Sequence, residues 1–203
     1  MKKNRTSKNW INKQRRDIYV RRSKVDGYRS RSAYKLIEID EKFKIFKNGI
    51  SVIDLGSAPG SWSQYLSKKI KNSKIVSIDL REMEAIDNTI QVLGDFTEEK
   101  NQSKIKGFFK SNVDVVLSDM AVNTTGNKNI DSIYTGELCM EAMLFSKKIL
   151  NNDGKFISKI FMGSTFNEII TEAKLIFREV KVFKPKSSRK DSKESFIICK
   201  NLR

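Results

Sequence analysis

The chain has 203 residues and a mass of 23.4 kDa, which fits one globular domain with a short appendage, and its 38% hydrophobic content can fill a core. Lys and Arg number 40 against 24 Asp and Glu, and the net charge of +16 points to a polyanionic partner, most simply nucleic acid. There is no histidine, so Ser-His-Asp and Cys-His triads, histidine-dependent zinc sites and histidine acid–base catalysis are excluded, and proton chemistry falls to Lys, Asp, Glu, Tyr or Cys.

Residues 1–48 carry 16 Lys/Arg and 5 Asp/Glu, so most of the excess charge lies in the first quarter of the chain, interleaved with Trp10, Tyr19, Tyr28 and Tyr34. Such a segment is either a solubilising tail or a strip that neutralises phosphates and stacks on bases. Met1 to Arg5 lacks the apolar stretch of a secretory signal, and no run approaches the roughly 18 apolar residues of a membrane span, so a soluble, cytoplasmic protein is expected. From Tyr28 to Leu36 and on through Ile37, Ile39 and Phe43 the pattern is that of an amphipathic helix, which joins the basic segment to something that packs.

A buried strand is predicted over Ile50–Leu55, a helix over Ser61–Ile70 with Trp62, Tyr65 and Leu66 on one face, and strands over Lys74–Leu80 and Ile90–Leu93. A helix over Glu98–Lys110, a strand over Val113–Asp119 and a long helix over Asp131–Leu150 follow. Asn152-Asp153-Gly154 reads as punctuation before a strand over Lys155–Phe161. The last elements are a helix over Phe166–Phe177 and strands over Val180–Phe183 and Ser195–Lys200, with a basic loop within Lys181–Lys193. Strands separated by helices imply parallel pairing through crossovers, and the final pair suits an antiparallel edge hairpin. Cys139 and Cys199 sit in apolar runs and are expected as buried thiols, with neither a disulfide framework nor metal-ligand spacing.

The first chemical signal is Asp54-Leu55-Gly56-Ser57-Ala58-Pro59-Gly60-Ser61-Trp62, directly after the first strand. A glycine-rich turn there lets a ligand approach the backbone. The G-x-G-x-x-G spacing of a nicotinamide site is missing, and a carboxylate before the first glycine suits a cationic ligand, S-adenosylmethionine, better than a pyrophosphate. Asp79 ends the second strand, 23 residues after Gly56, where a carboxylate can bind ribose hydroxyls. Gly94-Asp95-Phe96 ends the third, where Asp95 would accept from an adenine amino group and Phe96 would line the ring pocket. Each Asp alone could be a loop cap; three at successive strand ends mark the ligand-binding edge of an open α/β sheet.

The second signal is a polar set, Lys35, Asp119, Lys159 and Glu194. Lys159 interrupts the apolar strand Phe156–Phe161, and an unpaired buried ammonium is costly, so it is paired, at the surface or functional. Asp119, at the end of the fourth strand, is the natural partner, either as a generic buried ion pair or as part of a site.

With these residues in order, the chain resembles the FtsJ/RrmJ-type ribosomal-RNA 2′-O-ribose methyltransferases over essentially its whole length. The likeness runs through Arg29–Leu36, Asp54–Trp62, Gly94–Phe96, Leu117–Ala121, Lys159–Phe161 and Ser188–Glu194. It implies a Rossmann-like α/β fold of the class I S-adenosylmethionine-dependent type, with a seven-stranded, mostly parallel sheet and helices on both faces. It implies a basic RNA-binding extension over 1–28 and the methyltransferase domain over 29–203. Lys35, Asp119, Lys159 and Glu194 would be the catalytic tetrad, with Lys159 central. The cofactor set would be Asp54, Gly56, Gly60, Ser61, Trp62, Asp79, Asp95, Phe96 and Asp119. The expected substrate is a ribose, a uridine, in large-subunit rRNA or the 50S subunit, acted on by a monomer without metal. One departure is Val122, where the family usually has proline after Met120-Ala121.

In-line methyl transfer demands alignment, and the sugar hydroxyl must lose its proton as the bond forms. Lys159 would serve either as a neutral base, its pKa lowered by Lys35 and the sulfonium, or as a charged group that orients the hydroxyl. The N-terminal segment and the Lys181–Lys193 loop would grip the RNA backbone. The competing readings are a 2′-O-methyltransferase of tRNA or mRNA caps, and a non-catalytic RNA-binding assembly factor.

Overall fold

The computed structural model describes residues 14–121 and 128–203. Expectations that fall on residues 1–13, Trp10 among them, and on Val122 lie outside the described residues. The elements in order are α1 (Ile18–Val25), α2 (Ala33–Phe43), β1 (Ser51–Leu55), α3 (Ser61–Lys69), β2 (Lys74–Asp79), β3 (Thr89–Leu93) and α4 (Glu99–Gly107). They continue with β4 (Val113–Ser118), α5 (Lys128–Ile149), β5 (Leu150–Phe161), α6 (Phe166–Ile176), β6 (Phe177–Phe183) and β7 (Glu194–Leu202). Among the described residues no helix is long and apolar enough to cross a membrane.

One seven-stranded sheet has the order β3-β2-β1-β4-β5-β7-β6. The first five strands pair in parallel, and β7 runs antiparallel between β5 and β6, which gives the expected edge hairpin. Period-two alternation sends side chains to two cores. Ile53, Leu55, Val116, Phe156 and Ile160 face α5 and α6 in one cluster. Val52, Leu117, Ile157, Phe196 and Ile198 face α2 and α3 in the other, together with Trp62, Tyr65 and Leu66, the predicted apolar face of α3.

Several boundaries differ from the sequence reading, two of them where a strand starts directly after a helix. β5 begins at Leu150, straight after α5, so Asn152-Asp153-Gly154 lies inside an irregular strand start rather than before it. The register jumps from Val113–Leu150 to Val115–Lys155, and a Cβ on Gly154 would lie 2.7 Å from the Asn151 carbonyl oxygen, a fit only glycine allows. β6 likewise starts at Phe177, where α6 stops.

α2 ends by design of its own sequence. Lys44 takes the left-handed conformation, with φ 51°, and the Asp40 carboxylate accepts the next two backbone N–H groups, of Ile45 and Phe46, at 3.0 Å each. The Tyr65 hydroxyl donates to the same carboxylate at 2.8 Å, which ties α2 to α3. α1 packs on α2 through Tyr19 against Tyr34, ring centroids 5.4 Å apart, and through the Tyr34 hydroxyl, which donates to Asp26. Cys139 and Cys199 are buried free thiols, and burial pushes Cys139 up to about 12.

Candidate active site

The carboxyl ends of β1, β2, β3 and β4 bring the acidic positions to one edge of the sheet, and the glycine turn lies among them. Gly56 and Gly60 both take positive φ, 70° and 101°, so the turn needs residues without a Cβ; a Cβ on Gly56 would collide with the Met120 side chain. Asp79 fastens the turn to β2. Its carboxylate accepts the Ala58 N–H at 2.9 Å through one oxygen and the Arg81 N–H at 2.9 Å through the other. Arg29, which the sequence reading missed as a structural residue, donates to the carbonyls of Pro59, Glu84 and Ala85 and pins the turn to the segment after β2. No spacing in the sequence announces that contact, because the three carbonyls come from two distant segments.

The cofactor set is only partly a set of free side chains. Trp62 is 2% exposed, its ring against Phe196 and its indole N–H donated to the Ser32 carbonyl at 2.9 Å, so only its backbone remains to meet a ligand. Ser61 is buried and shares a hydrogen bond with the Ser30 hydroxyl. Phe96 is buried edge-on against Phe145 and belongs to the core. Asp95 accepts from the Thr97 N–H and hydroxyl, the loop-cap geometry that a lone Asp at a strand end favours.

Asp54 carries the strongest sign of a site for a cationic ligand: its Oδ1 is shielded from solvent without a hydrogen-bond partner. The Ser63 hydroxyl donates to Asp54 Oδ2 at 2.6 Å, yet burial, with added repulsion from Asp119 and Asp79, pushes the carboxyl up to about 7. Asp119 and Asp79 both oppose the ionisation of Asp54, and an ammonium or sulfonium beside it would relieve that repulsion, so the residues present fit S-adenosylmethionine.

This proton has a consequence for stability. Folded Asp54 keeps it up to about pH 7, whereas the ordinary value is 3.8, so the folded state binds the extra proton between those limits. Stability therefore falls as pH rises through that window, and the full cost is present above it. Asp54→Asn has no such proton: its thermal midpoint, relative to the unchanged chain, is expected to be higher at pH 8 than at pH 5 by circular dichroism melts. An equal difference at both pH values would contradict the assignment.

The four polar positions singled out by sequence meet in one cluster on the α2 side of the sheet. In the β5–β7 register Lys159 stands opposite Phe196, and Lys35 Nζ lies 5.6 Å from the centre of that ring. Lys159 Nζ donates to the Asp119 main-chain carbonyl at 2.6 Å and sits 3.2 Å from its carboxylate. Lys35 Nζ donates to Glu194 at 2.8 Å and lies 3.9 Å from the Asp119 carboxylate. The exposed fractions of these side chains are 8% for Lys159, 12% for Lys35, 14% for Glu194 and 18% for Asp119. Burial alone would lower the Lys35 amine, but the Asp119 and Glu194 carboxylates outweigh it and raise it, so Lys35 is a fixed cation. Burial would raise Glu194; the charges of Lys35 and Lys159, with hydrogen bonds from Lys35 and Ser188, hold it below the usual range.

Ser188 is a second missed residue. Its buried hydroxyl donates to Glu194 at 2.8 Å, so the loop before β7 helps aim the carboxylate that fixes Lys35. The sequence marked a basic loop within Lys181–Lys193, and nothing in it indicated that the loop folds back on the strand that follows. Among the described residues no group of three His, Cys, Asp or Glu could hold a metal.

The chain is similar to known methyltransferases in sequence and in fold. The model of the FtsJ-like methyltransferases matches residues 28–202. The chain is 74% identical, over the full length of both, to the ribosomal RNA large subunit methyltransferase E of Pelagibacter ubique. A crystal structure of a ribosomal RNA methyltransferase from Plasmodium falciparum superposes with TM-score 0.77 at 34% identity, over 86% of this chain and 98% of that one. A Streptococcus mutans methyltransferase solved with S-adenosylhomocysteine superposes at 0.54 and 13% identity, over 82% and 97%, a likeness of fold alone. The architecture is that of the class I S-adenosylmethionine-dependent methyltransferases, as the sequence implied.

Proposed function

The chain belongs to the FtsJ-like methyltransferase family, and from that premise we propose that it methylates the ribose 2′-hydroxyl of a uridine in large-subunit ribosomal RNA. The observation that carries the reading is the cluster of two lysines and two carboxylates at the ligand-binding edge of the sheet, beside the glycine turn. It is a constellation for handling one proton on one hydroxyl.

Asp54, Asp79, Asp95 and Asp119, with the backbone of Gly56–Trp62, would hold S-adenosylmethionine. When bound, that cofactor supplies an electrophilic methyl group on a sulfonium. The chain's own residues do the rest. An ammonium has three N–H bonds; Lys159 commits one to the Asp119 carbonyl and turns another toward the carboxylate, which leaves one position for the substrate hydroxyl. As a neutral amine, that position is a lone pair that takes the proton; as an ammonium, it is a donor that holds the oxygen in line. Lys35, fixed by Glu194, keeps a positive charge close by, which favours the build-up of negative charge on the ribose oxygen.

The partner is large-subunit rRNA or the 50S subunit, met in the cytoplasm by a monomer, and the +16 charge supports a polyanionic substrate. Purified protein with labelled S-adenosylmethionine is expected to transfer methyl to undermethylated large subunits and not to tRNA, capped transcripts or small-subunit RNA. Preferred transfer to tRNA or caps would replace the substrate half of the reading, and no transfer to any RNA would favour a non-catalytic assembly factor.

A further inference from the structure

We infer that Arg29 is a positioning residue for S-adenosylmethionine: its guanidinium clamps the two walls of the cofactor cavity and does not serve the RNA strand. The inference rests on the cofactor placement proposed above. Nη1 donates to the Pro59 carbonyl at 3.1 Å and to the Glu84 carbonyl at 2.9 Å, and Nη2 donates to the Ala85 carbonyl at 2.9 Å. Pro59 belongs to the glycine turn, and Glu84 and Ala85 to the segment after β2. The walls crowd together at Gly60, where a Cβ would lie 2.7 Å from Ile86 Cδ1 and 2.8 Å from Arg29 Nη1. Beside that point is a cavity of about 460 Å³ whose lining includes Arg29, Ala58, Pro59, Arg81 and Met83. Asp79, assigned above to the cofactor, accepts the Ala58 N–H on the same wall.

The chemistry of the clamp calls for an arginine. Three carbonyl oxygens converge from two segments, and residues 82–86 form neither helix nor strand, so no ladder supplies their donors. A planar guanidinium spreads five N–H bonds widely enough to reach both segments at once, whereas an ammonium gathers three at one nitrogen. The side chain is 18% exposed and commits three N–H bonds to these carbonyls, which leaves little of the fork for a phosphate. The Glu84 carboxylate, 3.9 Å from Nη2, is 94% exposed, so that ion pair adds little and the carbonyls do the holding.

The main chain of Arg29 is held as well. Its N–H donates to Gln64 Oε1 at 3.1 Å, and Gln64 Nε2 donates to the Gly27 carbonyl at 2.8 Å. Gln64 lies on α3, the helix that the glycine turn opens. Farther along, the Ser32 carbonyl accepts the Trp62 indole N–H, and Lys35 pairs with Glu194. Residues 29–35 therefore tie the cofactor turn to the tetrad. A clamp closed before the cofactor arrives spares the cost of ordering its walls on binding.

The test uses the full chain carrying Arg29→Gln or Arg29→Lys, compared with the unchanged protein. Calorimetry with S-adenosylhomocysteine, titration of a fluorescein-labelled single-stranded RNA and methylation of undermethylated large subunits are read side by side. Arg29→Gln is expected to weaken S-adenosylhomocysteine binding about tenfold and to raise KM for S-adenosylmethionine by about the same factor, with kcat and RNA affinity each within about threefold. Arg29→Lys keeps the charge and loses the fork, and is expected to weaken S-adenosylhomocysteine binding about fivefold. With no cofactor present, a glutamate-specific protease is expected to cut after Glu82 and Glu84 faster in both variants, because the wall opens more often. A lower melting midpoint with unchanged KM for S-adenosylmethionine would reduce Arg29 to a structural residue and overturn the inference. Loss of RNA affinity with S-adenosylhomocysteine binding intact would overturn it too, and both results leave the cofactor placement standing. Should Arg29→Gln fail to fold, Arg29→Lys decides: S-adenosylhomocysteine affinity equal to that of the unchanged protein would overturn the inference. Failure of the unchanged protein to bind S-adenosylhomocysteine would overturn the cofactor placement instead.

Discussion

Lys159→Ala is expected to lower turnover on its RNA substrate by about a thousandfold or more, within the range that positioned proton transfer and electrostatic stabilisation supply, while S-adenosylhomocysteine affinity stays within about twofold. In the proposed mechanism the amine reaches the reacting hydroxyl, whereas its own contacts within the chain are with Asp119, not with the glycine turn. Single-turnover assays and calorimetric titration would separate the two effects. Lys159→Arg is informative beside it, because a guanidinium stays charged and has no lone pair to take a proton. Turnover retained by the arginine variant would measure the orienting share of the work; none would point to the neutral amine.

Asp119→Ala is expected to cost both activity and stability. Asp119 stands 3.2 Å from Lys159 and 3.9 Å from Lys35, and without it two largely buried ammoniums share Glu194 alone. Removing one partner from a buried ion pair costs about 3–5 kcal/mol, and about 3 is expected here because Asp119 remains partly exposed. Denaturant unfolding would show the loss as a lower midpoint. Pairing Asp119→Leu with Lys159→Met is expected to recover part of the stability and none of the turnover, since an apolar pair of similar size needs no counter-charge. A double variant as unstable as the single would contradict the pairing.

The fold was legible because each of the first four strands is a short apolar run closed by a glycine or an acidic residue, with helical periods between most of the strands. The edge hairpin followed from a loop too short for a crossover. What misled was local punctuation: Asn152-Asp153-Gly154 has the composition of a turn, yet the chain passes straight from α5 into β5 and absorbs those residues as an irregular start. Lys159 stood out because a lysine within an apolar strand demands an explanation, and the resemblance to the family grouped Lys35, Asp119 and Glu194 with it. Trp62 and Phe96 were harder, since sequence shows that an aromatic lies beside a ligand-binding turn and not which way its ring points; both rings pack into the cores. Arg29 and Ser188 were hidden for another reason. Their partners are backbone carbonyls or side chains brought together only by tertiary packing, and no spacing along the chain encodes them.

The domain boundary implied by the resemblance falls at 28/29, whereas packing starts earlier. Asp17, Tyr19 and Asp26 already hold α2 and the loop before β7. Charge patterning reports on a partner and apolar periodicity on a core, so a segment that serves both is assigned by whichever signal is louder.

The central claim is that the lysine in β5 acts on a sugar hydroxyl. Its most direct test uses S-adenosylmethionine with a deuterated methyl group, undermethylated large subunits, and mass spectrometry of the released nucleosides. The account predicts the heavy methyl on the ribose fragment of a uridine with the unchanged protein, and no label above background with Lys159→Ala. Label on a base, or equal ribose labelling by the variant, would contradict it.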